Sequence, residues 1–140
     1  MPRLERALDL AGGTDILSEE DCWTLLGQTG VGRVAVSLNA KTDILPVNYR
    51  IVDGAVVFAT NLGRKLLALI GQDAVFEVDG FDERTRTGWS VLVRGRAELI
   101  GPEEPATTFA DLAWAGQKAY GVRLATTSLS GRRLGGRRDP

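Results

Sequence analysis

Apolar and polar residues change their period several times along this chain, and each change marks an element. From Ser18 the spacing is helical: Cys22, Leu25 and Leu26 recur on one face behind a serine cap and the acidic turn Glu19-Glu20-Asp21, a near capping box, until Gly27 and Gly30 end the run. The period then drops to two. Val31 to Leu38 alternates and is rich in valine, Asn39 to Asp43 forms a polar connection, and Ile44 to Val52 predicts a second strand. In that strand Leu45, Val47, Tyr49 and Ile51 share one face, and Pro46, Asn48 and Arg50 share the other. Pro46 cannot donate to a ladder, so the strand is expected at an edge or irregular near that point. Asp53-Gly54 is a two-residue turn signal that returns the chain into the apolar run Ala55 to Thr60.

A helical period reopens at Arg64 to Ile70, with Leu66, Leu67 and Ile70 at core spacing, and Gly71 closes it. Extended structure follows at Ala74 to Val78, then a polar excursion at Gly80 to Gly88, then the longest strand at Trp89 to Ile100. There Trp89, Val91, Val93, Ala97 and Leu99 face a core, and Gly95 interrupts them as a bulge or tight bend would. Pro102 to Ala115 reads as a short helix or loop, Tyr120 to Ala125 as a last strand, and the two ends as an N-terminal arm (1–16) and a basic tail (131–140). Six strands in mostly tight succession predict a mainly β, α+β fold. The expected form is a six-stranded antiparallel split β-barrel with an N-terminal helix and a helix crossing between strands 3 and 4. Closing such a meander removes its exposed edges.

Composition narrows what this fold can do. At 140 residues the chain has the size of a single domain. A formal net charge of -1 argues against a dedicated nucleic-acid surface. The tail GRRLGGRRDP clusters Arg132-Arg133 and Arg137-Arg138, but no aromatic residue interleaves with them. Charges interrupt the leucines of Met1 to Gly13, so neither a leader nor a membrane span is expected, and the expected location is cytoplasmic. Cys22 has no second cysteine to bond and sits in the helical apolar pattern as a small hydrophobe. Histidine is absent, which removes Ser-His and Cys-His nucleophile pairs, most zinc sites and imidazole acid-base chemistry together. No catalytic side chain and no metal site are expected.

One junction does carry chemistry. VVFATNLGRKLLAL, Val56 to Leu69, passes from a strand into a helix, where the Thr60 hydroxyl, the unpaired N–H groups of a helix start, Arg64 and Lys65 could converge on one phosphate. On these residues alone, a connecting loop with a solvated Arg-Lys pair remains the alternative. By residue type, Tyr49 and Trp89 are core aromatics, and Asn48 and Ser90 are outward polar positions of half-exposed strands.

Taken in order, GRVAVSL, LPVNYRI, VVFATNLGRKLLAL, AVFEVDGFD and TGWSVLVRGRAEL resemble the pyridoxamine 5'-phosphate oxidase-like split-barrel flavoproteins, especially their small actinobacterial-type members. The resemblance covers Leu17 to Ile100 and continues weakly to Gly131. It implies a homodimer that holds flavin mononucleotide (FMN) in two equivalent clefts between the subunits. It places Pro46, Val47, Asn48 and Tyr49 along the isoalloxazine ring, mainly through backbone groups, and Thr60, Arg64 and Lys65 at the phosphate. Trp89 and Ser90 would approach the ring and ribityl chain, and Trp114 would be a late aromatic brought by the second copy. A flavin accepts and returns the hydride itself, which suits a chain without histidine. The implied activity is that of an oxidoreductase on an unidentified small molecule. The alternative is a non-catalytic flavin or deazaflavin carrier or sensor of the same fold. Authentic pyridoxamine phosphate oxidases hold the substrate phosphate with a histidine and arginines near the C-terminal end, and the nitroimidazole-reductase branch carries a histidine near the flavin. Neither feature is matched here, so vitamin B6 phosphate is not the expected substrate.

Overall fold

The computed structural model describes residues 15–60, 68–101 and 120–135. Its strands are β1 (Asp15–Ile16), β2 (Val31–Leu38), β3 (Lys41–Val52), β4 (Ala55–Thr60), β5 (Asp73–Asp82), β6 (Thr87–Leu99) and β7 (Tyr120–Gly135), and the helix α1 (Glu19–Leu26) runs between β1 and β2. They form a single sheet in the order β1-β7-β4-β3-β2-β5-β6, and β6 pairs in turn with β7. Six strands therefore close a barrel-like antiparallel ring, with β1 attached to β7.

Alternation along the strands fills the ring. Val34, Val47, Tyr49, Phe58, Phe76, Val91, Val93 and Leu124 belong to one buried cluster, and α1 adds Cys22 and Leu26 to it. Burying a side chain of this size contributes about 1.5–3 kcal/mol, so the cluster is the main source of cohesion. The predicted cap is present, with the Asp21 N–H donating to Ser18 Oγ at 3.1 Å. The other end of α1 is tied to β3: the Tyr49 hydroxyl donates to the Leu26 carbonyl and accepts from Thr29. The Tyr49 ring meets Phe76 edge-on, with centroids 4.9 Å apart. β4 is buried on both faces, from Ala55 through Ala59, which is why its sequence runs apolar without alternation.

Several boundaries differ from the sequence expectation. The connection at 39–43 is a two-residue turn, because Asn39 and Ala40 both adopt left-handed backbone, at φ 54 and 61, and β3 begins at Lys41. The polar excursion of 80–88 is a hairpin whose ladder holds as far as Asp82 opposite Thr87. The first part of the expected basic tail is strand: β7 continues to Gly135, with Arg132 opposite Ser90 and Arg133 opposite Trp89. Nor is all of the N-terminal arm loose, since Asp15 and Ile16 pair with Arg133 and Arg132. Leu99, expected in the core, is 51% exposed at the last position of β6. The irregularity read from Gly95 is real, but the extra residue is on the neighbouring strand. Arg94 faces Ser128 and Gly95 faces Thr126, which leaves Thr127 over. At Gly95 the β7 backbone approaches so closely that a Cβ would overlap the Ala125 carbonyl. Of the helix expected at 64–70, Ala68 and Leu69 are helical, and Gly71 at φ 79 ends it as expected; its start lies outside the described residues, as does the segment 102–115.

Candidate functional site

Pro46 to Tyr49 lies on β3 where that strand changes its company. The β2 ladder accompanies β3 from Lys41 to Asn48, whereas the β4 ladder stops at Tyr49 opposite Phe58. At Pro46, β3 pairs with Arg33 of β2 and, among the described residues, with no residue of β4. The edge expected near Pro46 is found here. The side chains divide by parity. Val47 and Tyr49 are buried in the ring, Asn48 is half-buried on the outer face, and Pro46 is exposed there. Tyr49 can thus meet a surface ligand only through its backbone. Burial pushes its phenol above the ordinary value, against the opposing hydrogen bond from Thr29.

Thr60 ends β4 two residues past Phe58, opposite Tyr120 of β7. The pairing of Phe58 with Tyr49 brings this end of β4 to the level of Val47, so the first two parts of the predicted site are neighbours. Arg64, Lys65 and Trp114 lie outside the described residues.

Trp89 and Ser90 are elsewhere on the ring. Asn48 pairs with Val31 on β2, β2 pairs with β5 through Arg33 and Glu77, and Asp79 on β5 pairs with Ser90. Three strand spacings, roughly 14 Å along the surface, separate Asn48 from Ser90. Both residues share the outer face, and within the described part of one chain they do not meet.

Between them lies a charged cluster that the sequence reading missed. Arg33 Nη1 is 3.0 Å from Glu77 Oε1 and 3.5 Å from Asp79 Oδ2. Glu77 and Asp79 alternate with the buried Phe76 and Val78, so their outward position was readable; their partner on β2 was not. Two carboxylates to one guanidinium make this stretch unfavourable for a phosphate. Two depressions of about 260 Å3 also open on the surface, one around Trp89, Phe81 and Arg133, the other around Ser37, Leu69 and Gln72.

A closed antiparallel ring of six strands, with α1 contributing to its buried cluster, defines a small barrel-like β protein class. The chain belongs to the pyridoxamine 5'-phosphate oxidase family, whose sequence model matches residues 18–133. It is similar to the FAD binding protein from Mycobacterium smegmatis, at 32% identity and a TM-score of 0.70 over 87% of this chain and 99% of that one. A conserved protein of unknown function from Corynebacterium diphtheriae is 31% identical, with a TM-score of 0.72 over 87% of this chain and 98% of that one. An uncharacterized protein of Mycobacterium tuberculosis is 37% identical over 97 residues, a match that spans 64% of each chain, less than two-thirds of that curated relative.

Proposed function

We propose that this chain binds a flavin and works as a flavin-dependent oxidoreductase on a small molecule. The observation that carries the reading is the register that sets the β3 segment Pro46 to Tyr49 beside the end of β4, where Thr60 stands. Backbone N–H and C=O groups along that segment would meet the polar rim of an isoalloxazine ring. The Thr60 hydroxyl, the Arg64 fork and the Lys65 ammonium complement a phosphate of charge about -1.5 to -2. FMN is the smallest ligand that meets both requirements. The similarity to a protein named for FAD binding, at 32% identity over nearly the whole of each chain, supports the same ligand class.

Trp89 and Ser90, too far round the ring to close on Asn48 in the same chain, belong in this reading to a cleft completed by a second copy, to which Trp114 also contributes. Val31, paired with Asn48, and Tyr120, paired with Thr60, are 56% and 53% exposed, as the rim of such an interface would be before assembly. The flavin supplies hydride acceptance and return; the residues of this chain bind, orient and shield it.

A second reading, binding without turnover, is motivated by the lack of an evident substrate-activating residue in the sequence and includes a deazaflavin as ligand. The visible spectrum of the purified protein, followed by titration with FMN, tests the first. Flavin absorption bands, or quenching of added flavin fluorescence, are expected. A colourless protein that takes up no flavin overturns it, and a deazaflavin titration is then the next measurement. Reoxidation of the reduced flavin by a substrate faster than by oxygen separates turnover from carriage.

A further inference from the structure

Tyr49 grips the turn between α1 and β2 twice. Its backbone N–H donates to the Gly30 carbonyl at 3.0 Å, and its hydroxyl donates to the Leu26 carbonyl and accepts from Thr29. The Leu26 carbonyl is one of the acceptors that a helix C-terminus leaves without an intrahelical partner, and Leu26 is fully buried, so the phenol satisfies a group that water does not reach. Gly27 and Gly30 would leave this turn soft on its own, and the tyrosine stiffens it from inside the ring of strands.

The tyrosine is itself held. Its ring meets Phe76 edge-on, and Phe76 fills the space of the side chain that Gly32 lacks, since a Cβ there would overlap the phenyl ring. Gly32 pairs with Val47, and Val31 pairs with Asn48. The inner side of Val47 to Tyr49 is therefore fixed by Phe76, by the tyrosine and by the turn, while Pro46 and Asn48 face outward. We infer that Tyr49 and Thr29 are positioning residues: their hydrogen bonds couple the end of α1 to the backbone of Pro46 to Tyr49, so that a ligand seated on that segment and the turn stabilise each other. The coupling is reciprocal, so the ligand tightens the turn by the free energy that the intact turn lends to binding. The identity of the ligand rests on the proposed flavin function. The coupling rests on the contacts of Tyr49.

A purely structural role has a different outcome. A variant that is less stable yet still folded would then bind as the parent does, because affinity is a property of the folded chain. Titration of the purified, flavin-free protein and its Thr29→Val, Thr29→Ser and Tyr49→Phe variants with FMN, at a temperature where they are folded, separates the two. Thr29→Val keeps the volume and deletes the hydroxyl. It should weaken FMN by about three- to tenfold, the scale of one hydrogen bond, and Thr29→Ser should restore the affinity. Tyr49→Phe, which loses both contacts of the hydroxyl, should weaken FMN by about tenfold or more. In the parent, FMN should slow hydrogen exchange at the Gly27 and Gln28 amides, which bond back into α1, and Thr29→Val should diminish that slowing. Parent-like FMN affinity in Thr29→Val, with or without a lowered unfolding midpoint, overturns the inference, whether or not Tyr49→Phe folds. If the parent binds no FMN, the flavin reading has failed, and exchange in the ligand-free protein decides the coupling. Acceleration in Thr29→Val confined to residues 26–31 and 47–49 then upholds it; acceleration that is uniform or nil removes it.

Discussion

Glu77 shows how neighbours settle a single charge. Arg33, 3.0 Å away, would by itself hold the carboxyl low, yet partial burial first and Asp79 second push it above its ordinary value. Burial and the hydrogen bond and charge of Asp79 together outweigh the guanidinium. A group whose folded value is raised adds stability that is complete below the unfolded value and lost as pH climbs through the folded one. The stability of the native chain relative to Glu77→Gln should therefore decline as pH rises from below 4.5 toward neutrality, in urea titrations at stepped pH. Asp79→Asn should move the Glu77 titration downward, as followed by carboxyl-carbon NMR. An unmoved titration would leave burial as the sole cause. At this scale the sequence separated inward from outward positions well, because parity alone sorts Val47 and Tyr49 from Pro46 and Asn48. It could not show that Tyr49, next to the site, uses its hydroxyl to hold α1.

The elements were legible where their signals are local. Asp53-Gly54 carries its glycine and forms the expected left-handed turn, at φ 50 and 72. Asn39-Ala40 forms a similar turn without a glycine, and for that reason it read as a longer connection. Ala40 at φ 61 bears the cost of a side chain in left-handed backbone, about 1–2 kcal/mol. Ala40→Gly should raise stability by about 1 kcal/mol, somewhat less than that cost because glycine also gains freedom in the unfolded chain. Urea denaturation checks the sign, and a loss of stability would mean that the unfolded-state term dominates. β7 shows the opposite limit. Its second half, ATTSLSGRRLG, has too few apolar residues to announce a strand, and the thirteen-residue β6 imposes extended structure on it through the ladder from Leu99–Val122 to Thr87–Gly135. Arg132 and Arg133 consequently read as solvated tail, although they stand opposite Ser90 and Trp89.

At the scale of the whole molecule, ring closure followed from counting strands and asking where their edges could go. The pairing of β7 with both β4 and β6, and with β1 beyond them, required three dimensions. That topology sets Asn48 and Ser90 three strands apart, and the distance has a thermodynamic consequence for the proposed cleft. If the flavin is gripped by β3 and Thr60 of one copy and by Trp89 and Ser90 of another, it binds the pair more tightly than the single chain, so ligand and association are linked. Sedimentation velocity on diluted, flavin-free protein should show monomer giving way to dimer as flavin is added. Dilution of the loaded protein should release flavin over the same concentration range. Arg64→Ala with Lys65→Ala should abolish the ligand-driven shift by removing the phosphate's partners. Its thermal unfolding without flavin should stay close to the parent's, since arginine and lysine side chains rarely belong to a buried core. Flavin held equally well by monomer and dimer would place the entire site within one chain, and the separation between the two half-sites would then have to be bridged by residues outside β3, β4 and β6.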